Sequence, residues 1–261
     1  MKFISPEYFQ LISKLQNTHS INRELFISIA KTTASFKPMS KPLIKLEFPK
    51  IDFKEFSLDY ANIREVTEKN SNHGWTLTLD MDINTYLDDD LLIKTADELD
   101  TVFLEYFRSD DFSPYKREKT NILAHINTKW NGTLNECFKL YELGYFKTQI
   151  PLLITIVEGE IADFTNLQNF IGKGLISNWK QSLDTQGDNL DALVLFSLFY
   201  FLEKGLFERD DFRGNRNPTI NRNRILHGRD NPNHWNEADY FKLINTLSSI
   251  QTCKEIIMEN I

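Results

Sequence analysis

Through most of the chain, apolar positions recur at intervals of three and four residues, the spacing of one face of a helix. Leu92, Ala96, Leu99, Phe103 and Tyr106 form one such stripe. Asp88, Asp89 and Asp90 stand at its start, where negative charge suits the helix dipole. A second helix is predicted over 116–143, with Ile122, Ile126, Trp130, Leu134 and Cys137 on one face and Gly144 as its stop. Residues 145–170 follow with an almost wholly apolar middle. Residues 190–202 are apolar all round, as a central bundle helix would be. A last amphipathic helix is expected over 236–260, with Tyr240, Leu243, Ile244, Leu247 and Ile250 turned inward. The polar connections between these helices are short, which suggests antiparallel neighbours.

The first 85 residues read differently. Short helices are expected over 6–15 and 22–36, and extended chain over the proline-containing stretch 38–56. Trp75-Thr-Leu-Thr-Leu-Asp-Met-Asp-Ile83 alternates and reads as a strand. The predicted fold is therefore mainly α, with a C-terminal antiparallel helical bundle over 116–261 and a smaller N-terminal α+β region over 1–115.

Composition changes this picture little. Over 261 residues, 41% hydrophobic and 26% charged side chains are globular proportions, and glycine (10) and proline (8) are too scarce for a collagenous or low-complexity chain. Two cysteines, Cys137 and Cys253, match no metal spacing and no disulfide framework. With no signal peptide and no apolar run of membrane-spanning length, a cytoplasmic protein without membrane contact is expected.

Charge changes it more. The whole chain carries −7, which gives no global attraction to nucleic acid or anionic lipid. Residues 212–229 carry Arg213, Arg216, Arg222, Arg224 and Arg229 and no acid, +5 in 18 residues. Arginine's planar donors match phosphate oxygens, so Arg213, Arg216, Arg224 and Arg229 are candidate phosphate contacts. Pairing with neighbouring acids such as Asp210, Asp211 and Asp230 is the competing reading. Inside the cluster, Pro218 and Thr219 offer a helix start and Gly228 a stop. On that helix Asn223 and His227 share a face, whereas Arg222 lies about 140° away from His227. Long side chains, a distorted turn or a partner chain must bring those two together.

The pattern of Arg222, Asn223 and His227, with four residues between the arginine and the histidine, resembles the signature of the HEPN superfamily. The string from Asn221-Arg222 to Ile225-Leu226-His227-Gly228 is similar to the form found in HEPN proteins related to bacterial abortive-infection systems. So are Leu152-Leu-Ile-Thr-Ile-Val-Glu158-Gly159 upstream and the terminal helix after a short polar loop. The resemblance covers residues 116–261. It implies a metal-independent endoribonuclease, without cofactor, acting as a homodimer with both motifs at one cleft. It also implies a setting in antiviral defence or a toxin–antitoxin pair, with an antitoxin or defence-system partner. In that chemistry Arg222 holds phosphate oxygens, Asn223 orients the imidazole or a substrate oxygen, and His227 exchanges a proton. A non-catalytic module that binds RNA or nucleotide, or scaffolds a partner enzyme, is the alternative.

Glu158 interrupts an apolar run and could pair with Arg222, or could point to water. Glu160 and Asp163 are expected to be solvated. His227, Asp230 and His234 do not have the spacing of a metal site. The acidic cluster of Asp80, Asp82 and 88–90 is better read as helix starts and a turn than as a cation site.

Overall fold

The computed structural model describes residues 60–182, 190–210, 212–213 and 219–259. These residues are mainly helical, with no strand among them. The helices are α1 (Tyr60–Asn72), the single turn α2 (Ile83–Tyr86), α3 (Ala96–His125), α4 (Thr128–Glu142), α5 (Ile150–Thr165), α6 (Gly172–Gln181), α7 (Leu190–Phe201), the short α8 (Arg222–Leu226) and α9 (Glu237–Glu259). The helices and extended segment expected over 6–15, 22–36 and 38–56 lie outside the described residues. No described helix is long and apolar enough to cross a membrane.

Helix α3 spans residue 115, but its backbone leaves helical geometry at Ser109, Asp110, Asp111 and Phe112, the last three of them left-handed. The aspartate run 88–90 does not open α3. Asp88 caps a separate 3-10 turn, Asp89–Ile93, and α3 starts at Thr95 with a reciprocal capping box to Glu98. Thr95 accepts from the backbone of the third helical residue while Glu98 reaches back, so two otherwise orphaned donors are satisfied at once. The helix predicted over 116–143 is likewise two. Asn127 caps α4 through Lys129 N–H at 3.1 Å and breaks the run.

Helix α9 is the axis of the bundle, packing against α3, α5 and α7. Its expected inward residues are all buried, but so are Asn245, Ser248, Ser249 and Gln251 on its other sides. For Asn245 and Ser249 the reason lies in the segment read as a strand. Residues Trp75, Thr76, Leu77 and Thr78 are all buried, so the chain there is swallowed rather than half-exposed. Side chains replace a strand partner for its backbone. Asn245 accepts from Thr76 N–H at 2.7 Å, Ser197 from Leu77 N–H at 2.9 Å, and Ser249 donates to the Leu77 carbonyl at 3.0 Å. A buried backbone group must find some partner, and helix side chains supply it here.

Candidate active site

The site is built on α8, which owes its place to Asn221. The Asn221 side-chain oxygen accepts from the N–H groups of Asn223 (3.0 Å) and Arg224 (3.2 Å). Its amide donates to the carbonyls of Gly205 (3.1 Å) and Glu208 (2.9 Å), at the end of the π-helical turn Leu202–Leu206 that follows α7. One buried side chain thus caps α8 and fastens it to the end of α7. The helix starts here and not at Thr219, because asparagine is the stronger cap and sits directly before Arg222; Pro218 lies outside the described residues. It ends one turn later. His227 is the C-cap, its N–H bonded to the Asn223 carbonyl at 3.2 Å. Gly228 follows at φ 64°, a left-handed conformation in which glycine carries no steric penalty.

From this short helix Arg222 and Arg224 point to different partners. Arg222 reaches Glu158 on α5, Nε to Oε2 at 3.1 Å and Nη2 to Oε2 at 3.0 Å. Its Nη1 donates to Asn223 Oδ1 at 3.1 Å, and Asn223 Nδ2 donates to the Glu208 carbonyl at 3.3 Å. Glu158 is itself fixed by the Gly172 N–H at 2.6 Å. Of the two readings for Glu158, pairing is therefore the one observed. The pair is not sealed off, with the two side chains 16% and 15% exposed. A guanidinium has five N–H donors, so Arg222 retains one on each terminal nitrogen beyond those aimed at Glu158 and Asn223.

Arg224, grouped by its sequence with the phosphate contacts, is turned inward and buried. Its Nε pairs with Asp210, and Nη2 donates to Asp210 Oδ1 at 3.0 Å. The Arg224 guanidinium in turn holds the Asp210 carboxyl below the usual carboxylate range. For this arginine the acid-pairing reading is the one observed, because burying a guanidinium without a carboxylate is prohibitive. Arg213 and Arg229 are exposed, and Arg216 lies outside the described residues.

His227 is exposed. Its imidazole makes no hydrogen bond to any described residue, and meets the ring of Phe212 edge-to-face with centroids 5.9 Å apart. No bond joins it to Arg222 within the chain. The structure thus brings together Arg222, Asn223 and Glu158 and leaves His227 at the far end of the same helical turn.

Glu160 requires correction. It is fully buried, paired with Lys254 of α9, and accepts from the Asn127 N–H at 3.2 Å. Two residues on from Glu158, it faces the opposite side of α5, into the bundle. Asp163 pairs with Lys129 at the end of the same helix and is 23% exposed. Among the described residues no three His, Cys, Asp or Glu side chains converge as a metal site would require. Asp82 and Asp88 are N-caps, as their sequence position suggests. A cavity of about 500 Å³, walled by Phe112, Tyr115, Tyr141 and Phe146, shares no residue with the Arg222 cluster.

No protein-family model, curated protein or solved structure matches this chain.

The geometry of the cluster thus rests on the chain's own residues. Three contributors went unread in its sequence. Asn221 carried a legible signal, an asparagine immediately before a helical turn. Asp210 was visible only as one of several neighbouring acids. Gly172 acts through its backbone N–H, which no side-chain pattern reports.

Proposed function

We propose that this protein is a HEPN-like, metal-independent endoribonuclease that cleaves RNA by attack of the 2′-hydroxyl, working as a homodimer. The observation that carries this reading is Arg222 clamped by Glu158 and Asn223 on the same helical turn as an exposed imidazole with no hydrogen-bond partner among the described residues. An arginine pre-set by its neighbours can meet the charge that develops on the phosphorane without first reorganising. Histidine suits the proton transfers because its ordinary titration lies near neutrality.

In the reaction, one His227 removes the proton of the 2′-hydroxyl as the oxygen attacks phosphorus. The bond to the 5′ oxygen breaks, and a second His227 gives that oxygen a proton. The products are a 2′,3′-cyclic phosphate and a 5′-hydroxyl. One chain has one such histidine, so a second copy completes the acid–base pair. Its Arg222 also answers the separation of Arg222 from His227 within one chain. Exposed apolar residues flank the site and suit such a contact: Ile171 at 72% beside Gly172, and Leu226 at 36% beside His227. Antiviral defence or a toxin–antitoxin pair is the setting that the motif suggests.

A second reading has one specific observation behind it. Glu158 compensates much of the charge of Arg222, which favours a module that contacts phosphate without cleaving. Single-stranded RNA incubated in EDTA with wild type and with His227→Ala separates the two. The ribonuclease reading expects cyclic-phosphate fragments from the wild type and none from a folded His227→Ala. Binding without cleavage by both would favour the second reading, and equal cleavage by both would remove His227 from the chemistry.

A further inference from the structure

Phe212 combines three features that stability alone does not explain. Its backbone is left-handed at φ 64°, where a bulky L-residue sits only when its surroundings hold it. Phe212 is fastened by Asp210, whose Oδ1 accepts from the Phe212 N–H at 2.6 Å while the same carboxylate clamps Arg224. The ring so placed is not buried. It is 41% exposed, and its one ring contact among the described residues is with His227, at an interplanar angle of 70°. An aromatic held in an unfavourable conformation without burial is not there to fill a core. Glycine would meet the backbone requirement at no cost.

We infer that Phe212 is a stacking platform for a nucleobase, so that Phe212 and His227 together form a base-binding subsite beside the scissile phosphate. This rests on the ribonuclease reading, which supplies RNA as the ligand. A flat apolar ring is what a single-stranded base needs, because every base offers a π-face for stacking. Single-stranded RNA is also the form whose bases are free to splay out onto aromatic side chains. The arrangement gives the site a hold on the base next to the cleaved bond, whatever its identity, which Arg222 and His227, facing phosphate and hydroxyl, do not provide.

The test separates stacking from both folding and chemistry. The probe is a set of single-stranded 2′-fluoro hexamers, one for each base, which lack the nucleophile and are not cleaved. Inorganic tripolyphosphate serves as a phosphate-only ligand. Stacking worth about 1–3 kcal/mol per base corresponds to a 5- to 150-fold loss of hexamer affinity in Phe212→Leu. Tripolyphosphate binding should be unchanged, and Phe212→Trp should retain or strengthen hexamer binding. Phe212→Gly should melt no lower than the wild type while losing hexamer affinity to the same degree. Unchanged hexamer affinity in Phe212→Leu would overturn the inference, as would parallel losses for hexamers and tripolyphosphate. A wild type that binds hexamers through Phe212 but cleaves no RNA would defeat the ribonuclease reading and leave the subsite standing.

Discussion

Glu158 and Glu160 stand two residues apart on one turn of α5 and do opposite things. Glu160 faces α9, fully buried, with Lys254 as its counter-charge and the Asn127 N–H as a further donor. Glu158 faces α8, where it meets Arg222 in a partly open setting and is held by the Gly172 N–H. Both are carboxylates paired to a cation from a later element. The difference is water. A sealed pair serves the bundle, and its worth appears when one partner is removed. A pair that keeps an edge in solvent can fix a side chain's direction while leaving donors for a ligand. Helix α5 therefore joins the core to the site, and the two sides should respond differently to the same substitution.

The largest effect is expected on the core side. Glu160→Ala leaves the Lys254 ammonium buried without its partner, a change that costs about 3–5 kcal/mol. Thermal denaturation should show a fall on the order of 10 °C. A variant melting within a degree or two of the wild type would show that water reaches the pair.

Next comes Glu118 of α3, another carboxylate on the core side, whose bonds come from the hydroxyls of Thr78 (2.7 Å) and Ser248. Burial, reinforced by Asp80, pushes its carboxyl up to about 7. Between pH 4.5 and 7 the folded protein keeps a proton here that the unfolded chain has released. Stability from this group is therefore present below pH 4.5 and is lost as pH rises through 7. The loss is roughly 3 kcal/mol. Denaturation from pH 5 to 8 should show that slope in the wild type and a flatter one in Glu118→Gln, with the variant the more stable at pH 8.

A smaller effect is expected between the two glutamates. A Cβ on Gly159 would lie 2.6 Å from the Trp130 ring, so α4 and α5 approach closely only because that residue has no side chain. Gly159→Ala should cost about 1–3 kcal/mol from overpacking, less whatever alanine's better helix propensity returns. A stabilised variant would show that Trp130 moves aside freely.

The smallest effect on stability is expected on the site side. Glu158→Gln should shift the melting temperature by no more than a few degrees, since pairs open to solvent contribute about 1 kcal/mol or less. Its consequence should instead be a looser Arg222, read as slower RNA cleavage in a protein of near-normal stability. A collapse in stability equal to that of Glu160→Ala would erase the distinction between the two carboxylates.

How much of this was legible in the sequence follows the same division. The stripe of Tyr240, Leu243, Ile244, Leu247 and Ile250 announced one buried face of α9, because apolar periodicity reports burial directly. It could not announce that Asn245 and Ser249 are buried as well, since they bond to backbone groups of a segment some 170 residues earlier, or that Ser248 is, since its partner is the Glu118 carboxylate of α3. The alternation of residues 75–83 suggested a strand for the same reason: spacing along the chain does not reveal that helices will satisfy the backbone. In the site, Arg222 and Glu158 were paired as one option from their types alone. The motif set Arg224 apart from Arg222 as a peripheral phosphate contact, but no spacing along the chain shows that Asp210 holds it buried instead. Glu160 looked solvated because a carboxylate without a visible partner usually is, and Lys254 lies 94 residues away.

The central claim is that Arg222, and not Arg224, holds the phosphate of a cleaved RNA. Single-turnover cleavage of a model RNA at saturating enzyme, with Arg222→Ala and Arg224→Ala compared at matched folded fractions, tests it most directly. The account predicts a fall of about 10²–10³ in the chemical step for Arg222→Ala, the usual consequence of losing a preorganised donor to developing charge. Arg224→Ala should lose stability while its folded fraction keeps the rate of the chemical step. A folded Arg222→Ala that cleaves at the wild-type rate, or an Arg224→Ala that loses the chemical step instead, would contradict it.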